Sequence, residues 1–443
     1  MSQAIKESIY ADAFREFSSS ANAFEPSWAT RLREGAFERF EKLGFPTTDD
    51  EDWKYTNVAA IARRAFRLAS SQAASLSSDA VAPFVYEEAR KSCVVFVNGA
   101  FRTELSTLEA VPQGVVVSDI ASALRSEHAE LVREHLGRLT AGGRDTFDAL
   151  NTAFVRSGAL IHLAAGAHLE APLQLLFLSD AGADDAATFP RVLIVAERDS
   201  RLDIIESYAA TTDATYFTNA SVEAFVAEGA RVTHCKVQDE GERAFHVAST
   251  RATVNRSAAY ELTTVTLGAQ LSRHGIEVLL DAEGAECRVD GLYIVGDRQH
   301  ADTHSLIDHR HPHGTSRQNY KGILDGRSRA VFNGRVFVHD GAFQTDAEQS
   351  NKNLLLSPDA RVDTKPQLEI FNDDVKCSHG ATVGQLEEEE LFYLRSRGLH
   401  TDLARNLLTY GFAEEIVEKI KYESIRAQLD GAILNRLHAR LEV

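Results

Sequence analysis

Between residues 166 and 370 the chain repeats itself. Segments that open with a small residue after Gly, Asp or Arg run on into strand-like alternation: "GAHLEAPLQLLFL" at 166, "DSRLDIIESYAA" at 199, "GARVTHCKVQ" at 229, "GAECRVDGLYIV" at 284, "GRSRAVFNGRVFV" at 326 and "DARVDTKPQLEI" at 359. Most starts lie about 30 residues apart, a period that signals an array whose units stack on their neighbours. The units are rich in Val, Ile, Leu, Tyr and Thr and lack helical periodicity, which makes the array a β-solenoid. A β-propeller is the competing arrangement, but its blades need four strands and a period of roughly 40 residues or more. In a solenoid, strand positions such as Val289, Leu292, Val336 and Leu368 should point inward and be buried. The Gln, Ser and Asn of "EQSNKNLLLS" suit turn stacks in which side-chain amides form ladders.

The flanks read differently. Residues 1–70 are expected to be a helical region: "PSWATRLREGAFERFEKLG" carries Trp28, Leu32, Phe37, Phe40 and Leu43 near helical spacing, starts at Pro26 and Ser27, and stops at Gly44. Residues 71–154 form a small mixed α/β connector, with "SCVVFVNGAF" a strand ending in an Asn-Gly turn and "IASALRSEHAELVREHL" an amphipathic helix. The β-helix then spans 155–384. Residues 385–443 form a carboxy-terminal helical region, in which Thr401 caps a helix and the apolar positions Leu407, Leu408, Phe412, Ile416 and Ile420 must be covered by the β region or by a partner. The fold expected is mainly β, a parallel β-helix between helical terminal regions.

Charge and cysteine usage narrow the function. A net charge of -18 repels nucleic acid and anionic membrane surfaces. The four cysteines, Cys93, Cys235, Cys287 and Cys377, form no C-x-x-C, which fits a reducing cytoplasm and argues against a disulfide framework or a self-contained metal site. No signal peptide and no run of about 18 apolar residues is present, so a soluble, cytoplasmic protein is expected. Nucleotide-binding P-loop, G-x-G-x-x-G, H-E-x-x-H and G-x-S-x-G patterns are absent.

Candidate chemistry concentrates in two places. "QHADTHSLIDHRHPHGTSRQ" holds His300, His304, His309, His311 and His313. If extended, His309-x-His311-x-His313 would aim three imidazoles at one face; Pro312 and Gly314 break that alternation and favour a turn whose histidines bond backbone or water. The second place is "DDVKCSHGATVG" at 373–384, where Cys377 and His379 on an extended strand share a face while Ser378 points away. Two donors do not close a tetrahedral site, which usually wants four, so the rest must come from elsewhere. Cys235 and Cys287 sit inside alternating patterns and read as small buried hydrophobes. A carbohydrate-active β-solenoid lyase or hydrolase is the alternative function, with Asp373 and Asp374 as acids; adjacent strand residues face opposite sides, and only two tryptophans are present to line a sugar groove. A β-helix whose tail merely mediates assembly is a third reading.

The run at 308–411, with "DHRHPHGTSRQNYKGILDGRSRAVFNGRVFVHDGAF", "VKCSHGATVG", "LFYLRSRG" and "LLTYGF", closely resembles the SufB/SufD family of iron-sulfur cluster assembly scaffolds, and "DDEDWKYTNV" at 49–58 is similar to the amino-terminal motif of its SufD branch. The resemblance implies a right-handed parallel β-helix and a non-catalytic scaffold subunit of the SUF system. It implies pairing with a SufB-like paralogue through the β-helices, and docking of a SufC-like ATPase on the carboxy-terminal helices, ATP hydrolysis belonging to that partner. A homodimer is the alternative pairing for the isolated chain. By the same resemblance, His379 and then Cys377 are the metal-binding and cluster-binding positions, holding a transient iron-sulfur cluster or iron shared with the partner, with no cofactor permanently bound. No role follows from it for the five upstream histidines, nor any flavin site or cluster type.

Overall fold

The computed structural model describes residues 3–21, 26–69, 76–141, 143, 145–180 and 184–438. It is a parallel β-solenoid of about seven turns with helices at both termini. Each coil contributes one strand to each of two sheets. One sheet runs in order through Gly158–Leu163, Arg191–Ala196, Phe217–Val226, Phe245–Val254, Leu271–Leu280, His300–His309, Arg329–Val338 and Arg361–Ile370; the other through Leu173–Ser179, Arg201–Ala210, Arg231–Asp239, Ala259–Thr266, Glu286–Val295, Thr315–Leu324, Thr345–Leu355 and Val375–Gly384. Strands pair in parallel without slippage: Cys287, Ser316, Ala347 and Cys377 lie in one register column, and Val289, Gln318, Gln349 and His379 in the next inward column. Both sheets continue into residues 92–119, where Ser92–Val97 joins one and Val115–Asp119 the other. There Asn98 and Gly99, both at positive φ, form the hairpin turn that pairs Phe96 with Phe101.

The corners explain the repeat. Chain leaving the first sheet turns into the second at Gly166, Asp199, Gly229, Ser257, Gly284, His313 and Gln344, each at positive φ. The units at 166, 199, 229 and 284 mark this corner, whereas those at 326 and 359 mark the opposite one, half a coil out of phase. That is why the spacing widens there. The coils opened by Ser257, His313 and Gln344 escape notice because a serine, a histidine and a glutamine hold a conformation usually signalled by glycine.

The outer faces of the sheets are covered separately. Amino-terminal aromatics, among them Phe14, Phe37, Phe40, Trp53 and Phe147, pack on Phe217, Phe245 and Leu271 of the first sheet. The helix Ser27–Leu43 ends where Gly44, at φ 65, returns its N–H to Phe40 O. Its buried face is Ala29, Arg33, Ala36, Phe37 and Phe40, so Leu43 is exposed and an arginine that donates to Val155 O (2.7 Å) is inside. The expected helix "IASALRSEHAELVREHL" is broken into Ile120–Ala123 and Ala129–His135, because Ser126 Oγ accepts the His128 N–H and turns the chain. On the second sheet, Ile416, Ile420, Ile425 and Leu429 cover Ile205, Val237, Val265, Leu292 and Ile323. Leu292 is thus buried from outside, under the carboxy-terminal helices, and not in the lumen; Val289 and Val336 are buried inward, and Leu368, in the last coil, only partly. No helix among the described residues is long and apolar enough to cross a membrane.

The lumen is not purely apolar. Glu206, His234, Lys236, Glu240, His246 and His274 are all buried within it. Burial opposes ionisation of Glu206, but Lys236 and His234 outweigh it and hold its pKa at about 2. Further along, the amides of "EQSNKN" lie within the strand Thr345–Leu355 and face inward, not in a turn, and the expected ladder is reduced to one rung: Gln349 donates to Gln318 of the coil below (2.7 Å), whereas Asn353 donates to Asn351 of its own strand (2.6 Å).

Candidate functional site: the open end of the β-helix

Among the described residues the solenoid stops without a cap. There Arg361–Ile370 pairs only with Arg329–Val338, and Val375–Gly384 only with Thr345–Leu355, so each leaves a ten-residue edge with no described strand beyond its N–H and C=O groups. Phe343, Ile370, Phe371 and Val383 are exposed around this end. Long edges bearing apolar residues invite pairing with another chain.

Cys377 and His379 stand on the terminal strand, on the face that continues the lumen, while Ser378, opposite Glu348, lies on the outer face. Cys377 packs against the small cluster of Val336, Val338, Ala342 and Ala347 and is half-buried. Burial pushes its thiol pKa up, more than a hydrogen bond from the Ala347 backbone lowers it, so the thiol must surrender a proton to bind metal. His379 is exposed, with no coil above it. The pair therefore offers one ready donor and one reluctant donor to whatever approaches the edge. The other cysteines are buried, and burial pushes the Cys93 and Cys235 thiols up to about 12 and that of Cys287 higher still; these behave as packing groups.

The upstream histidines do not converge. The strand ends at His309, whose Nε2 meets Ser316 Oγ at 2.8 Å inside the lumen, and burial holds its pKa at about 4. His311 and His313 follow in the turn, His313 at φ 61 and 4.0 Å from Glu283. A three-imidazole face over His309, His311 and His313 is thus ruled out by the backbone, and among the described residues no three His, Cys, Asp or Glu side chains form a metal-holding group. His300 and His304 serve elsewhere. His300 Nε2 meets Thr56 Oγ1 (2.8 Å) and His304 Nε2 meets Asp302 (3.2 Å), while Thr56 also donates to Asp302. Arg273 pairs with Asp302 and lies 3.8 Å over the Trp53 ring. Burial opposes ionisation of Asp302, yet Arg273 and the histidines outweigh it and hold its carboxyl well below the usual range. The "DWKYTN" segment is thereby locked to the first sheet. Asp373 and Asp374 lie exposed in the turn before the last strand.

The charged lumen residues were missed by sequence reasoning, although a signal exists: in "VTHCKVQ", His234, Lys236 and Gln238 hold the parity of inward-facing Val232.

The family model for the SufBD core domain of the SUF system of Fe-S cluster assembly matches residues 177–412, and that for the SufBD amino-terminal region matches 4–175. A SufBD family iron-sulfur cluster assembly protein of Synechocystis is 38% identical over 413 residues, covering 91% of this chain and 90% of the relative. The iron-sulfur cluster assembly protein SufD of Escherichia coli is 31% identical over 400 residues (89% and 90%), and SufD of Bacillus subtilis 27% over 433 (92% and 94%). With two family models spanning most of its length and a relative 38% identical over 91% of it, this chain belongs to the SufBD family of iron-sulfur cluster assembly proteins.

Proposed function

We propose that this chain is the SufD-type scaffold subunit of a SUF assembly complex in the cytoplasm. It pairs edge to edge with a SufB-like paralogue through Arg361–Ile370 and Val375–Gly384, and holds a nascent cluster or iron transiently between His379, with Cys377 auxiliary, and donors of the partner. The observation that carries this reading is the open end: two strands, each unpaired along its outer edge and accompanied by exposed apolar residues, surround a donor set that is incomplete by itself. Incompleteness suits transfer, because shared ligands release their cargo more readily than a closed site. The iron-sulfur cluster is cargo and no resident group is required. The isolated chain can satisfy the same edges with a second copy.

A SufC-like ATPase docks on the carboxy-terminal helices and performs the ATP hydrolysis. Supporting this, Phe392, Tyr393, Leu403 and Leu407 remain exposed on helices Glu388–Ser396 and Thr401–Val417, on the side not used to cover the sheet. Truncation after Gly398 is a poor test, because it would strip Ile416, Ile420, Ile425 and Leu429 from the second sheet. The double substitution Phe392→Asp, Leu407→Asp places charge in the patch and leaves the sheet contact alone. It is expected to abolish co-purification of the ATPase while the SufB-like partner still co-purifies; an ATPase retained at wild-type stoichiometry would reject the docking assignment.

A further inference from the structure

We propose that Gln349 positions the His379 imidazole; this rests on the reading of His379 as a cluster donor. Gln318, Gln349 and His379 occupy one inward register column, in adjacent parallel strands about 4.8 Å apart. Gln318 Nε2 donates to Ser305 Oγ (2.8 Å), and Gln349 Nε2 donates to Gln318 Oε1 (2.7 Å). Each amide thus spends its nitrogen inside the solenoid, and the column ends with an acceptor: Gln349 Oε1 is buried and takes no hydrogen bond. A buried acceptor left unmade is costly, and among the described residues the coil above it carries His379. The lumen also makes room for this side chain, because a Cβ on Gly334 would stand 2.4 Å from Gln349 Nε2.

Rotation of the exposed imidazole lets one ring N–H donate to Gln349 Oε1. That bond selects a single tautomer and leaves the other nitrogen, with its lone pair, facing the open end where iron is received. Gln349 itself touches no metal and acts through His379.

The test uses the full chain labelled with 15N-histidine, the His379 signals being identified by their loss in His379→Ala. With the ring neutral, wild type is expected to show one His379 tautomer, Gln349→Met a mixture of both, and Gln349→Glu one tautomer again, the Gln318 amide turning over to donate to one carboxylate oxygen and accept from the Ser305 hydroxyl while the other oxygen remains as acceptor. Cluster maturation in the cell should fall about 10–100-fold in Gln349→Met and recover in Gln349→Glu. A mixed tautomer in wild type overturns the proposal even if Gln349→Met does not fold, and so does an unchanged tautomer in a folded Gln349→Met. Normal maturation in His379→Ala would instead remove the donor reading and leave the tautomer result standing separately.

Discussion

His379→Ala is expected to abolish cluster maturation in the cell while the chain folds and its complex still assembles. The side chain is exposed at an uncapped end, so no packing is lost with it. What disappears is the one donor of the terminal strand that is accessible without deprotonating a half-buried thiol. Cys377→Ser should be milder, since burial raises the pKa of this thiol and it contributes mainly to the cluster of Val336, Val338 and Ala347. Ser378→Ala should change little, because it faces the other way. In vivo maturation combined with partner pull-down separates the outcomes: intact maturation in His379→Ala removes the metal role, and a lost pull-down makes the residue structural.

The second large effect is on stability. Arg191 and Glu223 form a fully buried ion pair on the outer face of the first sheet. Arg191 also donates to Asn151 (3.0 Å), Thr152 (3.3 Å), Ser221 (3.1 Å) and Thr140 (3.1 Å), and Glu223 accepts the N–H groups of Gly137 (2.8 Å) and Leu139 (2.7 Å). The network therefore stitches residues 137–152 to the β-helix. Arg191→Met leaves a carboxylate buried without its cation and should cost about 3–5 kcal/mol. Adding Glu223→Gln removes the stranded charge but keeps an acceptor for only one of the two backbone N–H groups, so it should recover about 1 kcal/mol, a part of the loss. Denaturant unfolding of the two variants checks this; a loss below about 1 kcal/mol in Arg191→Met would show that the network does not anchor this region.

Much of this architecture is legible in the chain because period-2 alternation and corner residues are local signals. The shared face of Cys377 and His379 follows from strand parity alone. What is not legible is set by pairing between coils. Parity does not say which face is the lumen, so Leu292, buried beneath Ile416 and its neighbours, resembles an inward residue. Ser257, His313 and Gln344 hide three corners, because the residue type gives no sign of the positive φ, which is accompanied by an N–H bond from each to the next coil. Arg33, Lys236 and Glu206 break the rule that charges stay outside, each through a partner remote in sequence. The histidine cluster at 300–313 looks like one site, yet its members are divided among the "DWKYTN" lock, the lumen and a turn.

The central claim, a donor set completed only by a partner, is tested most directly by anaerobic reconstitution with ferrous iron and sulfide, followed by desalting and iron and sulfide analysis. The chain alone is predicted to retain essentially no cluster, its complex with a SufB-like partner to retain one, and the complex carrying His379→Ala to lose it. A stable stoichiometric cluster on the isolated chain, or an undiminished one in the His379→Ala complex, would contradict the account.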